Sequence, residues 1–143
     1  MPPPAVAVIV RRSTAAAIDG SAAPVSLTQQ TILVVDDDAS ARRLVARLLG
    51  DAGYPVIEAP TPHGALEIAR ERADAIGLLL TDVRMPRMTG LELARRFCVL
   101  SPSAGVLLMS GYHDHGDPPH PLLAKPFTPA ELLAAVSSSI GAA

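Results

Sequence analysis

Five polar residues of this sequence could do chemistry together: Asp36, Asp37, Asp82, Ser110 and Lys125. Three carboxylates brought to one place repel one another; at about 5 Å and an effective dielectric of 20, each charged pair costs roughly 3 kcal/mol. A hard divalent cation removes that penalty, and an oxygen-only, partly hydrated site suits Mg2+. Such a cation could hold a phosphoryl donor against the third carboxylate, which would act as nucleophile and form an acyl phosphate. Lys125 would supply fixed positive charge opposite the metal, and the Ser110 hydroxyl a hydrogen bond to a phosphoryl oxygen. The chain has 12 basic residues and Lys125 is its single lysine, so no other lysine can take that part. Taken singly, each residue has an ordinary structural reading: Asp37 or Asp38 as a helix N-cap, Ser110 as a turn residue, Lys125 as a solvated charge.

That chemistry requires a fold that gathers positions 36 to 125 at one edge. Ile32–Val35 is a short apolar run ending in Asp36-Asp37-Asp38 and reads as a buried strand. Leu44, Val45, Leu48 and Leu49 follow at helical spacing, closing near Gly53. Tyr54–Ala59 reads as a second strand, and Pro62–Arg72 as a helix with Ala65, Leu66, Ile68 and Ala69 inward. Ile76–Thr81 is a third strand running into Asp82, Gly90–Leu100 a helix, and Gly105–Met109 a fourth strand ending at Ser110. Pro121–Ala124 precedes Lys125, and a last helix runs from Pro129 to about Ile140. Thr128-Pro129-Ala130-Glu131 is a capping box for it, with Pro129 at the first helical position. Strands apolar on both faces and alternating with helices predict a parallel, doubly wound sheet with helices on both sides. Ligand sites in such sheets lie beyond the carboxyl ends of the strands, where the five polar residues fall.

Composition limits the alternatives. A chain of 143 residues suits one domain, and its core must be aliphatic, because it has two Tyr, two Phe and no Trp. A net charge of −2 gives no support for a nucleic-acid partner. The single cysteine, Cys98, excludes an internal disulfide and fits a reducing compartment; on its helical stripe it reads as a packed, inert thiol. The apolar run Ala5–Val10 is too short to span a membrane and lacks the basic flank of a secretory signal, so a cytoplasmic address is expected. Residues 1–30, rich in Ala, Pro, Ser and Thr without periodicity, read as a flexible tail or linker, or else as a segment adding an edge strand or docking on a partner. Residues 31–143 form the domain.

Four ordered motifs then carry a resemblance: Ile32-Leu33-Val34-Val35-Asp36-Asp37-Asp38, Thr81-Asp82-Val83-Arg84-Met85-Pro86 with Gly90-Leu91-Glu92-Leu93, Leu107-Leu108-Met109-Ser110-Gly111-Tyr112, and Lys125-Pro126-Phe127. Over about residues 31–140 the sequence resembles the receiver domain of two-component response regulators. The resemblance implies the strand order 2-1-3-4-5 of the flavodoxin-like chemotaxis regulators, which is a worked example of the general rule for such sheets. It also implies phosphorylation of Asp82 and Mg2+ held by Asp37, by Asp36 mainly through water, by Asp82 and by the backbone carbonyl of Arg84. Ser110 and Lys125 would contact the phosphoryl group, and the Lys125–Pro126 peptide would be cis. The implied partners are a histidine kinase or a His-containing phosphotransfer protein upstream and a protein target downstream. No catalytic or DNA-binding output domain is expected after the last helix. The sequence would equally suit a receiver excised from a hybrid kinase.

The sequence departs from this pattern twice. Three positions before the lysine the family usually carries an aromatic switch residue, and here it is Leu122, with Tyr112 the nearest substitute. Arg84 and Tyr112 would flank the expected path of attacking water, and with Leu122 they are the candidate modulators of the phosphoryl lifetime. Between strands four and five, Gly111–His120 contains Gly111, Gly116, Pro118 and Pro119. Gly costs about 1 kcal/mol and Pro about 3 kcal/mol inside a helix, so a loop or single turn is expected where the family fits its fourth helix. The usual dimerisation and output face would then be remodelled, leaving homodimer formation open. His113, Asp114, His115, Asp117 and His120 in that loop read as solvated polar residues in preference to a transition-metal site. Two competing functions are a receiver-like scaffold that is never phosphorylated and an Asp-nucleophile, Mg2+-dependent phosphatase. The latter generally needs a second carboxylate close after the nucleophile, where Arg84 stands.

Overall fold

The structure, a computed structural model, describes residues 31–111 and 118–140. Strands β1 (Thr31–Val35), β2 (Val56–Ala59), β3 (Ile76–Asp82), β4 (Gly105–Ser110) and β5 (Leu122–Ala124) form one sheet. Its order is β2-β1-β3-β4-β5 and every pairing is parallel, as the motif order implied. Four α-helices are present among the described residues: α1 (Ala39–Asp51), α2 (Pro62–Arg72), α3 (Gly90–Leu100) and α4 (Pro129–Ser139), with a 3-10 turn at Ala73–Ala75.

Alternation along the strands divides the core into two layers. Ile32, Val34, Leu78, Leu80, Leu107 and Met109 face Val45, Ala46 and Leu49 of α1 and Leu132 and Val136 of α4. Their neighbours Leu33, Val35, Leu79 and Leu108 face Ala65, Leu66 and Ala69 of α2 and Leu93, Ala94 and Phe97 of α3. With both faces covered, the central strands must be apolar throughout, which is how they read in sequence.

Each helix starts on a side-chain cap that faces the site end of the sheet. The Asp38 carboxylate accepts from the N–H groups of Ser40 and Ala41, and Thr61 and Thr89 cap α2 and α3. Thr128 and Glu131 form the reciprocal capping box, with the Glu131 carboxylate accepting from Thr128 N at 2.8 Å and Thr128 Oγ1 from Glu131 N at 3.1 Å. Substituting such caps typically costs about 1 kcal/mol.

Two expectations need correction. Strand β2 begins at Val56, two residues later than expected, because Tyr54 N donates back to Leu49 O at the end of α1 and Pro55 has no N–H. Leu44, read at helical spacing with Val45, Leu48 and Leu49, is 58% exposed; the buried stripe includes Arg42, Val45, Ala46 and Leu49. The expected tail at 1–30 and residues 112–117 of the expected loop lie outside the described residues. Gly111 and residues 118–120, which flank that loop, are non-helical.

Candidate functional site

All five residues singled out in the sequence lie at the carboxyl edge of the sheet. Asp36 directly follows β1; Asp82 and Ser110 are the last residues of β3 and β4; Lys125 directly follows β5. Asp36, Asp37 and Asp82 each offer a carboxylate oxygen, and these atoms lie within 4.8 Å of one another. No other such group of His, Cys, Asp or Glu occurs among the described residues.

The three carboxylates differ in setting. Asp36 is 2% exposed and accepts at Oδ1 from Asp38 N at 3.0 Å. Burial pushes its carboxyl above the ordinary range, and nearby Asp82 and Asp37 push the same way. The Asp38 N–H and the Lys125 ammonium oppose that shift. Asp37 is exposed, and Asp82 is partly buried. This is a donor set of hard oxygens, which fits a small divalent cation.

Lys125 Nζ donates to Asp82 Oδ1 at 3.3 Å and lies 3.9 Å from Asp36 Oδ2. Lys125 N also donates to Ser110 O at 2.9 Å, so the ends of β4 and β5 are fastened to each other. The Lys125–Pro126 peptide is cis. Ser110 is buried at the mouth of β4, one residue past Met109, which pairs in register with Asp82.

The loop after Asp82 is anchored by apolar side chains, with Val83, Met85 and Met88 buried in the α2–α3 layer. Arg84, on this loop, is exposed. Gly90 closes the loop by donating from its N–H to Val83 O at 2.8 Å. A Cβ on Gly90 would sit 2.2 Å from the Asp82 carbonyl oxygen, so this position admits no side chain without displacing Asp82. Leu122 is half-buried against the α2–α3 layer. Tyr112 and the loop residues His113, Asp114, His115 and Asp117 lie outside the described residues. His120 is half-buried, and burial lowers its pKa.

Reading the sequence missed one pair at the site. The Arg42 Nε donates to Glu58 Oε1 at 3.1 Å, and its Nη1 donates to Asp36 O at 2.9 Å. The available signal was a charge in an otherwise apolar strand, Val56-Ile57-Glu58-Ala59, matched by a cation on the apolar stripe of α1.

Known proteins share these features. Residues 32–137 match the family profile described as "Response regulator receiver domain". The response regulator receiver protein CpdR of Brucella abortus is 33% identical over 109 residues, covering 71% of this chain and 89% of that protein. Among solved structures, the receiver domain of the hybrid histidine kinase CckA is 36% identical with a TM-score of 0.68, covering 76% of this chain and 96% of that one. The chemotaxis protein CheY4 of Vibrio cholerae is 28% identical with a TM-score of 0.70, covering 78% of this chain and 99% of that one. With the match spanning most of the chain, the sheet order in common and the acidic cluster at its edge, this protein belongs to the response regulator receiver domain family of two-component signalling.

Proposed function

We propose that this chain is a phosphorylation switch in which Asp82 accepts a phosphoryl group from a histidine kinase or a His phosphotransfer protein. Mg2+ would be held by Asp36, Asp37 and Asp82, with the backbone carbonyl of Arg84 as a further ligand. The observation that carries this reading is the gathering of three carboxylates within 4.8 Å, with the one lysine 3.3 Å from Asp82. When bound, Mg2+ offsets the repulsion among these carboxylates and the charge on the incoming phosphoryl oxygens.

The Asp82 carboxylate is assigned as the nucleophile because it is the one to which Lys125 Nζ donates, at 3.3 Å, whereas Asp36 is enclosed and Asp37 stands exposed. Its oxygen forms a bond to phosphorus as the phosphorus–nitrogen bond of the phosphohistidine breaks. The electron pair of that bond stays on the imidazole nitrogen. Lys125 then exchanges its contact with Asp82 for one with a phosphoryl oxygen, and the Ser110 hydroxyl donates to another. The Lys125 N to Ser110 O bond couples the two strand ends, so a shift of one draws on the other. With Leu122 in place of an aromatic, the change is read at the β4–β5 edge through backbone displacement, with Arg84 and Tyr112 tuning the lifetime of the acyl phosphate.

A protein partner is supported by an apolar cleft of about 570 Å³ beside the site, lined by Leu44, Val45, Leu48, Pro126 and Phe127 and bounded by Asp36 and Lys125. Such a cleft suits the apolar face of a partner helix that presents its histidine to Asp82. Output is by protein–protein contact, residues 31–143 are the responding unit, and residues 1–30 are a tail or linker. A cytoplasmic location is inferred from this partner class and the single free thiol.

The test is intact-protein mass after incubation with acetyl phosphate, with and without Mg2+, for wild type and Asp82→Asn. One phosphoryl group should be gained in wild type only when Mg2+ is present, and none in the variant. Wild type that gains nothing under any condition would overturn the reading in favour of an unphosphorylated scaffold.

A further inference from the structure

Glu58 is the single charge in β2, is buried, and pairs in register with Val34 of β1. Arg42 meets it from the buried stripe of α1, and both side chains are less than a tenth exposed. A buried ion pair is by itself weak evidence of stabilisation, because apolar residues of similar volume often serve as well. The third partner gives this pair a different meaning. The last β1–β2 register pair is Val35 with Ala59, and Asp36 N still reaches Ala59 O at 3.4 Å. The Asp36 carbonyl lies past that ladder and is taken by the Arg42 guanidinium at 2.9 Å. The peptide plane fixed by that bond joins Asp36 to Asp37, so it sets the direction from which both carboxylates leave the backbone.

We propose that the Arg42–Glu58 pair is a positioning device for the acidic cluster, one that presets Asp36 and Asp37 for a divalent cation. The two residues divide the task. Arg42 provides a rigid fork, one arm on Glu58 and one on the Asp36 carbonyl, which a lysine with its single nitrogen cannot reproduce. Glu58 cancels the guanidinium charge, which would otherwise weaken cation binding at the adjacent carboxylates. The proposal rests on the reading of the cluster as a Mg2+ site.

The test is a Mg2+ titration followed by backbone amide NMR shifts, with urea unfolding of each protein, for wild type, Arg42→Lys, Glu58→Gln, the double variant Arg42→Met/Glu58→Met, and Val136→Ala. Val136 lies on the buried face of α4 and serves as a control for lost stability alone. The double variant should bind Mg2+ about tenfold more weakly, the usual scale for losing a group that orients a metal ligand. Arg42→Lys should recover only part of that affinity. Glu58→Gln should bind Mg2+ more weakly than wild type at low and high salt alike, because a buried guanidinium this close to the carboxylates is little screened. Val136→Ala should lose stability with its Mg2+ affinity unchanged. Wild-type affinity in Arg42→Lys, Glu58→Gln and any folded double variant would overturn the proposal and leave the pair a packing feature. The two single variants decide the matter if the double variant does not fold. Absence of Mg2+-dependent shifts around Asp82 in wild type would instead overturn the reading of the cluster itself, and the positioning role with it.

Discussion

At the end of β1, Asp36 is held by polar contacts: the Asp38 N–H on its carboxylate, the Arg42 guanidinium on its carbonyl, and Glu58 behind that. At the end of β3, the Thr81 hydroxyl donates to the Asp82 carbonyl at 3.0 Å, but most of the support is fit. The loop after Asp82 is pinned by buried Val83, Met85 and Met88, and Gly90 packs against the Asp82 carbonyl where a Cβ has no room. The difference follows from what each carboxylate must do. Asp36 is enclosed, and a buried charge is tolerable only when hydrogen bonds or counter-charges replace water. Asp82 must stay reachable, so its side chain is left free for Lys125 and its position is fixed from the backbone side. The β1 corner can therefore be adjusted by charge and hydrogen-bond changes, whereas the β3 corner responds to volume.

The largest effect should come from adding volume at the β3 corner. Gly90→Ala places a methyl 2.2 Å from the Asp82 carbonyl oxygen, a backbone atom that cannot rotate away. The strand end or the start of α3 must shift, at a cost of about 3 kcal/mol. Urea unfolding should show that loss, and phosphorylation of the variant by acetyl phosphate should fall steeply, because the displaced atom belongs to the nucleophile's own residue. A Gly90→Ala protein with wild-type stability and labelling would refute the claim that fit holds Asp82.

Removing a polar group at the β1 corner should cost less and spare the chemistry. The Asp38 carboxylate caps α1 through Ser40 N and Ala41 N at 3.0 and 3.3 Å. Asp38→Ala should lower stability by about 1 kcal/mol. The bond that Asp38 makes to Asp36 comes from its backbone N–H and survives the substitution. Labelling by acetyl phosphate should be little changed, while the urea midpoint falls. A large loss of labelling would mean that the cap, and not the Arg42 fork, sets the carboxylates.

The same contrast explains how much could be read from the sequence. The strands were legible because both faces are covered, so each is an apolar run, and a polar residue at its end stands out. That is why Asp36, Asp82, Ser110 and Lys125 could be placed before any coordinates, and why the capping box at Thr128–Glu131 marked the start of α4. The supports of the site were not legible, since they depend on register and close approach. Glu58 finds Arg42 across 16 residues only once β2 lies beside β1 and α1 lies over both. Gly90 reads as an ordinary helix start until the loop folds it onto Asp82. Leu44 misled because it fits the spacing of its helix, yet the inner stripe runs through Arg42, a charge that propensity alone assigns to solvent.

The smallest effect, of opposite sign, concerns backbone strain in the β3 corner. Arg87 has φ 74°, the left-handed region, where a β-carbon costs about 1 kcal/mol and asparagine is better tolerated. It occupies the centre of a tight turn in which Met88 N donates to Pro86 O at 2.8 Å, three residues before Gly90. Arg87→Asn should stabilise the protein by about 0.5 kcal/mol, seen as a higher urea midpoint. Arg87→Lys keeps both charge and strain and should be neutral. If fit alone places Asp82, the asparagine variant will be labelled by acetyl phosphate at the wild-type rate, because the turn keeps its shape and only its energy changes. A slower rate in Arg87→Asn but not in Arg87→Lys at equal ionic strength would leave two causes, the lost charge over the cleft shared with Asp37 and the relaxed turn. Arg87→Gln, which removes the charge and keeps the strain, separates the two. A wild-type rate in Arg87→Gln beside a slow Arg87→Asn would make the strained turn a part of how Asp82 is held, and the β3 corner would no longer be a matter of volume alone.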